Sequence, residues 1–185
     1  MHHNGHLAVD NVNLEVQEGE VFGYLGPNGA GKTSTIRTLL DFIRPTSGSA
    51  SIFGLDSRES SRDIRRRVSY LPGDMTLYDR LTGREVLTYA ASRRGGVDWR
   101  YVDELAERLQ SDLSRQVRTL SRGNKQKLGL VQAFMHRPEL IIMDEPSSGL
   151  DPLLQQEFHA MVDEVRADGR TVFVSSHILP EVERI

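Results

Sequence analysis

Apolar residues along the chain fall into short continuous runs separated by stretches with helical spacing. Four runs have the length and composition of strands that are buried on both faces of a parallel sheet: Val21–Leu25, Val68–Leu71, Leu140–Met143 and Thr171–Ser175. Between these runs, apolar residues recur every three or four positions, which indicates helices. The alternation predicts an α/β fold built around a parallel sheet.

The part of the chain between Asp74 and Thr119 has a helical character. Thr82 and Glu85 have the spacing of a capping box, in which each side chain bonds the backbone N–H of the other residue. Beyond them, four apolar residues share one helical face: Val102, Leu105, Leu109 and Leu113. We therefore predict a helical segment inserted between strands of the sheet.

The N-terminal segment has a different pattern. Val12, Leu14 and Val16 alternate with polar residues, which is typical of a half-buried strand, and Glu18–Glu20 then gives a turn signal. We predict a small β region ahead of the sheet.

A glycine-rich loop follows the first apolar run. Its residues match the phosphate-binding pattern G-x-x-x-x-G-K-[ST] at each fixed position: Gly26, Pro27, Asn28, Gly29, Ala30, Gly31, Lys32 and Thr33. Apolar residues at helical spacing come next: Ile36, Leu39, Leu40 and Ile43. The alternative is an ordinary glycine-rich turn, but the order of strand, loop and helix favours a site for a nucleoside triphosphate.

The residue types of this loop suit triphosphate chemistry. Unpaired N–H groups at the start of a helix attract anions, and Gly29 and Gly31 let the backbone approach the β-phosphate. Lys32 is predicted to reach the β- and γ-phosphates, and the hydroxyl of Thr33 is predicted to hold Mg²⁺. Ser34, in the first helical turn, is assigned to the same phosphate site.

Two carboxylates follow the buried run Leu140–Met143. Asp144 is predicted to hold Mg²⁺ through water, and Glu145 to act as the general base for the water that attacks the γ-phosphate. On their own, the two acids could equally be a solvated strand end. Together with the phosphate loop they predict a nucleotide-hydrolysing site at the carboxyl edge of the sheet.

Three further segments carry a resemblance to a known family. Leu120–Gln126 reads Leu-Ser-Arg-Gly-Asn-Lys-Gln, Ser147–Asp151 follows the two carboxylates, and Ser175–His177 lies beyond them. With the phosphate loop they resemble the ABC ATPases, whose motifs run in the order phosphate loop, Q-loop, signature, acidic strand end, D-loop and switch histidine. Leu77–Glu85 and the form of the signature are most similar to the ATPase subunits of ABC-2 type exporters, a branch that includes drug exporters.

The resemblance implies a P-loop NTPase (RecA-like) core, a small N-terminal antiparallel β region and an inserted helical subdomain. The chain would form one domain, with residues 1–73 and 137–185 in the β region and nucleotide-binding core, and residues 74–136 in the helical subdomain with the signature. Compared with the family, the sequence begins after the expected first strand and ends soon after the switch histidine. We therefore expect a domain truncated at both ends.

The resemblance also implies roles for residues outside the phosphate loop. Two ATPase domains of this family meet head to tail, so Ser121 and Gly123 would contact the γ-phosphate bound by a partner, with Asp151 in the D-loop. His177 would contact the γ-phosphate and hold the attacking water in line with Glu145. Structural alternatives exist, because serine and aspartate are common helix caps and a lone histidine is more often structural.

The family likeness implies ATP and Mg²⁺ as ligands, a second ATPase subunit that is identical or closely related, and a multi-spanning membrane permease. The expected function is ATP hydrolysis that drives export, with this subunit bound peripherally at the cytoplasmic face of the membrane. The groove for the permease would lie at Leu77–Tyr78 and the Q-loop, unless these residues are ordinary core. The alternatives are a soluble ABC clamp on ribosomes or DNA, a regulatory module that binds ATP without turnover and, last, a P-loop kinase.

Two motifs depart from the family pattern. Where glutamine usually follows Tyr-Leu-Pro in the Q-loop, this chain has Gly73 and then Asp74. Either Asp74 takes over as a Mg²⁺ ligand, or the site tolerates a missing ligand and its coupling to a partner is altered. The signature has Arg122 in place of glycine and Asn124 in place of glutamine.

Composition narrows the function classes. The formal charge of −3 over 185 residues gives no general attraction to nucleic acid, which is not expected as a partner. The basic run Arg62–Arg67 is interpreted as a solvated helix face, with a functional surface as the alternative.

The absence of cysteine excludes disulfides and thiolate metal sites, and no stretch has the roughly twenty apolar residues of a membrane span. Membrane attachment is therefore expected through a partner.

Overall fold

The computed structural model describes residues 2–3, 6–7 and 9–179. The strands are β1 (His2–His3), β2 (His6–Leu7), β3 (Val21–Leu25), β4 (Ser51–Ile52), β5 (Leu55–Asp56), β6 (Val68–Leu71), β7 (Leu140–Asp144) and β8 (Thr171–Ser176). The helices are α1 (Lys32–Leu39), α2 (Ser61–Arg67), α3 (Gly83–Ser92), α4 (Trp99–Arg108), α5 (Arg122–Phe134) and α6 (Pro152–Ala167), with a short 3₁₀ turn at Val117–Thr119.

A four-stranded parallel sheet in the order β3, β8, β7, β6 forms the centre of the fold. All four runs predicted as strands are confirmed, two at the predicted bounds and two extended by one residue. Strands β7 and β8 are buried along their whole length, as central strands of a parallel sheet are. Strand β3 lies at one edge of the described sheet and is only partly buried, so the prediction of a fully buried strand is wrong there.

The two faces of the sheet pack against different helices. Side chains alternate across a strand, so Ile141 and Met143 of β7 belong to one buried cluster and Leu140 and Ile142 to another. The first cluster also contains residues of α3, α4, α5 and α6, and the second contains residues of α1 and α2. Burial on both faces explains why these strands appear in the sequence as continuous apolar runs.

Helices α3, α4 and α5 form the predicted helical segment between β6 and β7. The capping box is present at α3, where the N–H of Thr82 donates to Glu85 Oε2 at 2.7 Å and the N–H of Glu85 donates to Thr82 Oγ1 at 3.3 Å. The residues predicted to share a helical face are all buried: Val102, Leu105, Leu109 and Leu113. Arg108 of α4 reaches α6, donating to Glu157 at 2.5 Å and to both carboxylate oxygens of Glu164. These ion pairs tie the helical segment to the core.

The strand predicted at Val12 to Val16 is wrong. Residues 12–17 have no regular secondary structure, and Val12 and Leu14 are 45% and 36% exposed. An alternating pattern forms a strand only where a neighbouring strand completes the backbone hydrogen bonds, and no described strand pairs with this segment. The small antiparallel β region is present elsewhere, as the pairs β1 with β2 and β4 with β5.

Helices α1 and α2 test two predictions made from the spacing of residues: the end of α1 was wrong, and the exposed face of α2 was correct. Helix α1 ends at Leu39, short of Ile43, because Asp41 adopts a left-handed φ of 56° that breaks the helix. In α2, Ile64 is buried while the arginines of the run Arg62–Arg67 are exposed or half-buried, so this run is the solvated face that was predicted.

Of the helices in the described ranges, none is both long enough and apolar enough to cross a membrane.

Candidate active site

The carboxyl ends of the four parallel strands meet at one edge of the sheet. Strand β3 leads into Gly26, β6 into Gly73, β7 ends at Asp144, and β8 is followed by His177. Ligands of open parallel sheets bind at this edge. The topology therefore brings together four segments that lie far apart in the sequence.

The phosphate loop has the backbone that an anion site needs. Gly29 and Gly31 have φ angles of 84° and 89°, so the prediction that both positions use the conformational freedom of glycine is confirmed. Gly31 precedes α1, and no side chain caps the helix there. The first N–H groups of α1 can therefore donate to a ligand. The N–H of Gly26 donates to the Ser176 carbonyl oxygen at 3.1 Å and holds the loop against β8.

The other loop residues assigned to the nucleotide lie near the surface. Pro27, Asn28 and Ala30 are exposed, and Ser34 is half-buried in the first turn of α1. The N–H of Ala30 donates to the Pro27 carbonyl oxygen at 3.1 Å, which closes the loop into a turn.

Lys32 is almost fully buried, with 7% of its surface exposed. Its ammonium donates to the carbonyl oxygens of Gly26 at 2.5 Å and Pro27 at 3.3 Å, and it lies 3.3 Å from Glu145 Oε1. A buried ammonium needs such partners because the loss of water penalises its charge. The charge of Lys32 therefore lies between the phosphate loop and the carboxylate that was predicted to act as a base.

Thr33 and Asp144 are in contact across 111 positions of sequence, with Thr33 Oγ1 donating to Asp144 Oδ2 at 2.5 Å. Ser175 Oγ donates to the other carboxylate oxygen, Oδ1. Asp144 is 3% exposed, and its charge adds to the effect of burial in raising the pKa of Tyr70. The hydroxyls of Thr33 and Ser175 therefore hold both oxygens of a buried carboxylate.

This pair of residues fits a magnesium ion. Hydroxyl and carboxylate oxygens are the ligands that Mg²⁺ prefers, and the ion usually takes its remaining ligands from phosphates and water. Among the described residues, no group of three or more His, Cys, Asp or Glu is placed to hold a metal. Thr33 and Asp144 would thus provide the protein oxygens, and a nucleotide and water the others.

Glu145 leaves β7 with a left-handed backbone, at a φ of 53°. Its N–H donates to the Ser175 carbonyl oxygen at 3.0 Å, and its Oε2 lies 2.6 Å from His177 Nδ1. Lys32 forms an ion pair with Oε1, but that buried oxygen accepts no hydrogen bond from the described residues. The structure therefore brings the three residues with proposed catalytic roles, Lys32, Glu145 and His177, into one contact group.

Ser121 and Asp151 each cap a helix. Ser121 Oγ accepts from the N–H of Asn124 at 3.3 Å at the start of α5. Asp151 Oδ1 accepts from the N–H groups of Leu153 and Leu154 at 3.1 and 3.0 Å at the start of α6. The capping interpretation is thus confirmed for both residues. Both are also exposed, so their side chains remain accessible for a second role.

Gly123 packs against the D-loop of its own chain. A Cβ built on Gly123 would lie 2.7 Å from the carbonyl oxygen of Gly149, a distance that real Cβ atoms do not adopt. Gly149 itself has a φ of 81°. The resemblance assigned Gly123 to a partner's phosphate, and the structure adds an internal reason for glycine at this position.

We expect Gly123→Ala to lower the stability of the fold. The added methyl must displace the backbone of Gly149, and overpacking of this kind costs about 1–3 kcal/mol. Thermal unfolding followed by circular dichroism measures the change. Arg122→Ala, at the neighbouring exposed position, is the control and should unfold at the wild-type temperature. A Gly123→Ala protein as stable as the wild type would contradict the close packing.

Sequence reasoning missed Gln126 as a residue of the site. It is 5% exposed, and its Nε2 donates to the carbonyl oxygen of Pro146 at 2.9 Å, directly after Glu145. The signal was available, because Gln126 shares a helical face with Leu130 and Phe134, and a buried polar side chain needs a hydrogen-bond partner. Gln126 therefore links α5 to the acidic end of β7.

The Q-loop position lies directly against the acidic strand end. A Cβ built on Gly73 would lie 3.3 Å from the Asp144 carbonyl oxygen and 3.6 Å from Asp144 Oδ2. Asp74 is exposed, and within residues 9–179 it forms no hydrogen bond or ion pair. The structure therefore places Gly73, and not the Asp74 side chain, beside Asp144, the carboxylate that was predicted to hold Mg²⁺.

Comparison with known proteins gives relatives over nearly the whole chain. The sequence pattern that defines the family described as ABC transporter matches residues 9–148. The bacitracin transport ATP-binding protein BcrA of Bacillus licheniformis is 40% identical over 181 residues, covering 96% of this chain and 59% of that protein. The probable multidrug ABC transporter ATP-binding protein YbhF of Escherichia coli is 37% identical over 181 residues, covering 95% of this chain and 31% of that protein. The chain thus spans less than two thirds of the length of these relatives.

Solved structures share the fold. The ATP-binding subunit of an ABC transporter aligns with a TM-score of 0.86 and 34% identity, covering 98% of this chain and 78% of that chain. A bacterial ABC transporter cassette, solved as a dimer, aligns with a TM-score of 0.87 at 22% identity, covering 96% and 83% of the two chains. The second likeness shows the fold alone. The predicted α/β fold with a parallel-sheet core and a small antiparallel region is confirmed.

Proposed function

Because this chain belongs to the ABC transporter family, we propose that it is an ATP-binding subunit that hydrolyses Mg-ATP to power transport. The observation that carries the proposal is the contact group at the sheet edge. Glu145 lies 3.3 Å from Lys32 and 2.6 Å from His177. Beside it, Thr33 and Asp144 are joined at 2.5 Å. The group combines a cation for phosphates, a base for water and oxygen ligands for a metal.

ATP would bind with its phosphates at the N-terminus of α1. The backbone N–H groups that follow Gly29 and Gly31 would donate to the β-phosphate. Lys32 would exchange its bonds to the carbonyl oxygens of the loop for bonds to phosphate oxygens, which are stronger because the acceptor is charged. Thr33 and Asp144 would hold Mg²⁺, whose chemical contribution is to neutralise charge on the phosphates.

Glu145 would accept the proton of the attacking water. When Lys32 turns to the phosphates, Glu145 Oε1 loses that partner and becomes free to act as the base, while His177 still orients the carboxylate through Oε2. The water oxygen bonds to the γ-phosphorus, the bond from phosphorus to the ADP oxygen breaks, and the proton moves to Glu145. Orientation and charge stabilisation provide the rate enhancement, as is general for phosphoryl transfer.

We also propose that two such subunits act together, head to tail. Ser121 and Gly123 of one subunit would complete the γ-phosphate site of the other, with Asp151 at the interface. Support comes from the exposure of Ser121 and Asp151 and from the position of Ser121 at the N-terminus of α5. A helix N-terminus suits a phosphate because its N–H groups lack partners within the helix.

The transported substrate class is also a proposal. The relatives BcrA and YbhF are named for bacitracin transport and multidrug transport, so we propose an exporter of drug-like or peptide compounds. The subunit would act at the cytoplasmic face of the membrane, bound peripherally to a separate multi-spanning permease. Selectivity for the exported compound would then reside in the permease.

Co-purification tests the assignment to a transporter. The protein would be expressed in its native host, the membranes solubilised gently, and the proteins that co-purify identified by mass spectrometry. A multi-spanning membrane protein in stoichiometric amount is the expected result and would identify the permease. Ribosomal proteins or DNA in its place would support a soluble nucleotide-gated clamp, and the transporter proposal would be withdrawn.

The Q-loop gives a separate prediction about Mg²⁺. If Asp74 replaces the usual glutamine as a ligand, Asp74→Ala should raise the Mg²⁺ concentration needed for half-maximal ATP hydrolysis. Because Asp74 is exposed, such a role requires the loop to shift when the nucleotide binds. The measurement is a Mg²⁺ titration at saturating ATP, with Asp79→Ala as the control for loss of an exposed acid nearby. An unchanged titration would remove Asp74 from the metal site.

A further inference from the structure

An unusually close contact joins the segment after β6 to helix α5. A Cβ built on Gly129 of α5 would lie 2.3 Å from Met75 Cε, 2.5 Å from Met75 Sδ and 2.7 Å from Leu71 Cδ1. Gly129 is buried, and Met75 packs against the main hydrophobic cluster. The thioether of Met75 therefore occupies the space that a side chain at position 129 would fill. We call this contact the Met75 notch.

The backbone gives no other reason for glycine at position 129. Gly129 lies inside α5, seven residues after Arg122 and five before Phe134, and it is not among the residues with positive φ. Glycine weakens a helix interior relative to alanine because it loses more conformational freedom on folding. The compensation is close packing, because Met75 and, less closely, Leu71 take up the space of a side chain at position 129.

The same segment also touches the proposed Mg²⁺ site. Gly73, two residues before Met75, faces Asp144 so closely that a Cβ would lie 3.3 Å from its carbonyl oxygen. Two residues of extended chain span at most about 7 Å. The short segment Gly73–Met75 is therefore held against Asp144 at one end and against α5 at the other.

Helix α5 connects the notch to the signature and to the acidic strand end. Gly129 lies eight residues after Ser121, about 12 Å along a rigid helix at 1.5 Å per residue. On the same helix, Gln126 is bonded to Pro146, directly after Glu145. A displacement of α5 at the notch would therefore move Ser121 relative to the sheet edge.

We propose that Met75 is a positioning residue that transmits the state of the Asp144 end of the site to the signature helix α5. The inference rests on the proposed ATPase function and goes beyond it. A shift of Gly73 on nucleotide and metal binding would reach α5 through the side chain of Met75, and Ser121 would follow. Met75 lies two residues after Gly73, where this chain has glycine in place of the glutamine of the family. Methionine suits the role because its flexible thioether keeps contact while the segment moves.

Three variants test this contact without touching the nucleotide. Gly129→Ala fills the notch and displaces the end of the Met75 side chain, Met75→Ala removes the side chain, and the double variant does both. Each single change should slow ATP turnover about tenfold, within the range known for residues that carry coupling between sites, and leave the Kd for ATP within about twofold. The double variant should be no slower than either single variant, because both break the same contact. Met75→Leu, which keeps the volume, should retain most of the turnover.

The matched control is Gln132→Ala, on the same helix and outside the notch, which should turn over ATP at the wild-type rate. Gly129→Ala is not expected to unfold the chain, because alanine strengthens the helix and the closest displaced atoms are the flexible end of Met75, with Leu71 Cδ1 further away at 2.7 Å. Thermal unfolding of each variant verifies this. Additive losses in the double variant, or wild-type turnover in both single variants, would overturn the proposal.

A reporter on α5 separates this inference from the proposed function. The chain has no cysteine, so Arg122→Cys can be labelled with an environment-sensitive dye at the start of the helix. Mg-ATP should shift the emission of this protein, and should not shift it when Gly129→Ala is added, although ATP still binds. If the Arg122→Cys protein without the Gly129→Ala change neither binds nor hydrolyses ATP, the proposed function is rejected. If the Arg122→Cys protein with Gly129→Ala binds ATP and still shows the emission shift, only the role of Met75 is rejected.

Discussion

Glu145→Gln should keep ATP binding near the wild-type level and slow hydrolysis by roughly 10²- to 10⁴-fold, the usual scale for the loss of a general base. Glutamine has nearly the shape of glutamate but cannot accept a proton from water. Its Oε1 and Nε2 can still occupy the space between Lys32 and His177, where Glu145 lies 3.3 and 2.6 Å from its partners. Loss of turnover with retained binding would therefore isolate the chemical step.

The measurement is steady-state phosphate release together with equilibrium binding of a fluorescent ATP analogue. Glu139→Gln is the matched control, because Glu139 precedes β7 at the opposite end of the same strand, where it is exposed and bonded to Arg67. It removes the same charge far from the site and should leave turnover unchanged. If Glu145→Gln hydrolyses ATP at the wild-type rate, Glu145 is not the base.

Lys32→Met should weaken ATP binding by roughly 10²-fold, because a buried charge that bonds the phosphates is lost and the phosphate charge is left without that partner. Methionine matches lysine in length and lacks a branch, so it fits the buried channel that Lys32 occupies at 7% exposure. The defect should therefore be in binding and not in folding. This distinguishes it from Glu145→Gln, in which binding is kept and chemistry is lost.

Titration with the same fluorescent analogue measures the affinity, and thermal unfolding with and without Mg-ATP gives an independent reading. A ligand that binds only the folded state raises the unfolding temperature, so the rise should vanish in Lys32→Met at ATP concentrations that stabilise the wild type. Lys127→Met, on α5, is the control for loss of one lysine charge. Wild-type affinity in Lys32→Met would mean that Lys32 does not contact the phosphates.

The central strands β7 and β8 were predictable because they are buried on both faces, and a strand buried in this way has a continuous run of apolar residues. The phosphate loop was predictable for a related reason. Gly29 and Gly31 have positive φ angles, which residues with a side chain rarely adopt, so the positions of these glycines indicate the local backbone conformation. The caps at Ser121 and Asp151 are likewise local, since each side chain bonds an N–H two or three residues ahead.

Two of the failures, at Val12 to Val16 and at Gln126, depend on partners that are distant in the sequence. The alternation at Val12, Leu14 and Val16 predicted a strand, but a strand needs a neighbour and no described strand lies beside it. Helix α1 was predicted too long, because apolar spacing does not report the left-handed residue Asp41 that ends it. The helical spacing could have placed Gln126 on the buried face of α5, but its partner, Pro146, is known only once α5 packs against the end of β7.

The sequence by itself determined which segments carry the chemistry: the phosphate loop, the two carboxylates after β7 and the capped start of α5 follow from local composition and short spacing. Tertiary structure alone decided which groups touch. It joined Thr33 to Asp144, placed Lys32 and His177 on the two oxygens of Glu145, and set Gly123 and Gly129 against Gly149 and Met75. The physical reason is that backbone conformation depends on neighbours along the chain, whereas contacts depend on how strands align at one edge of the sheet and how closely helices pack there.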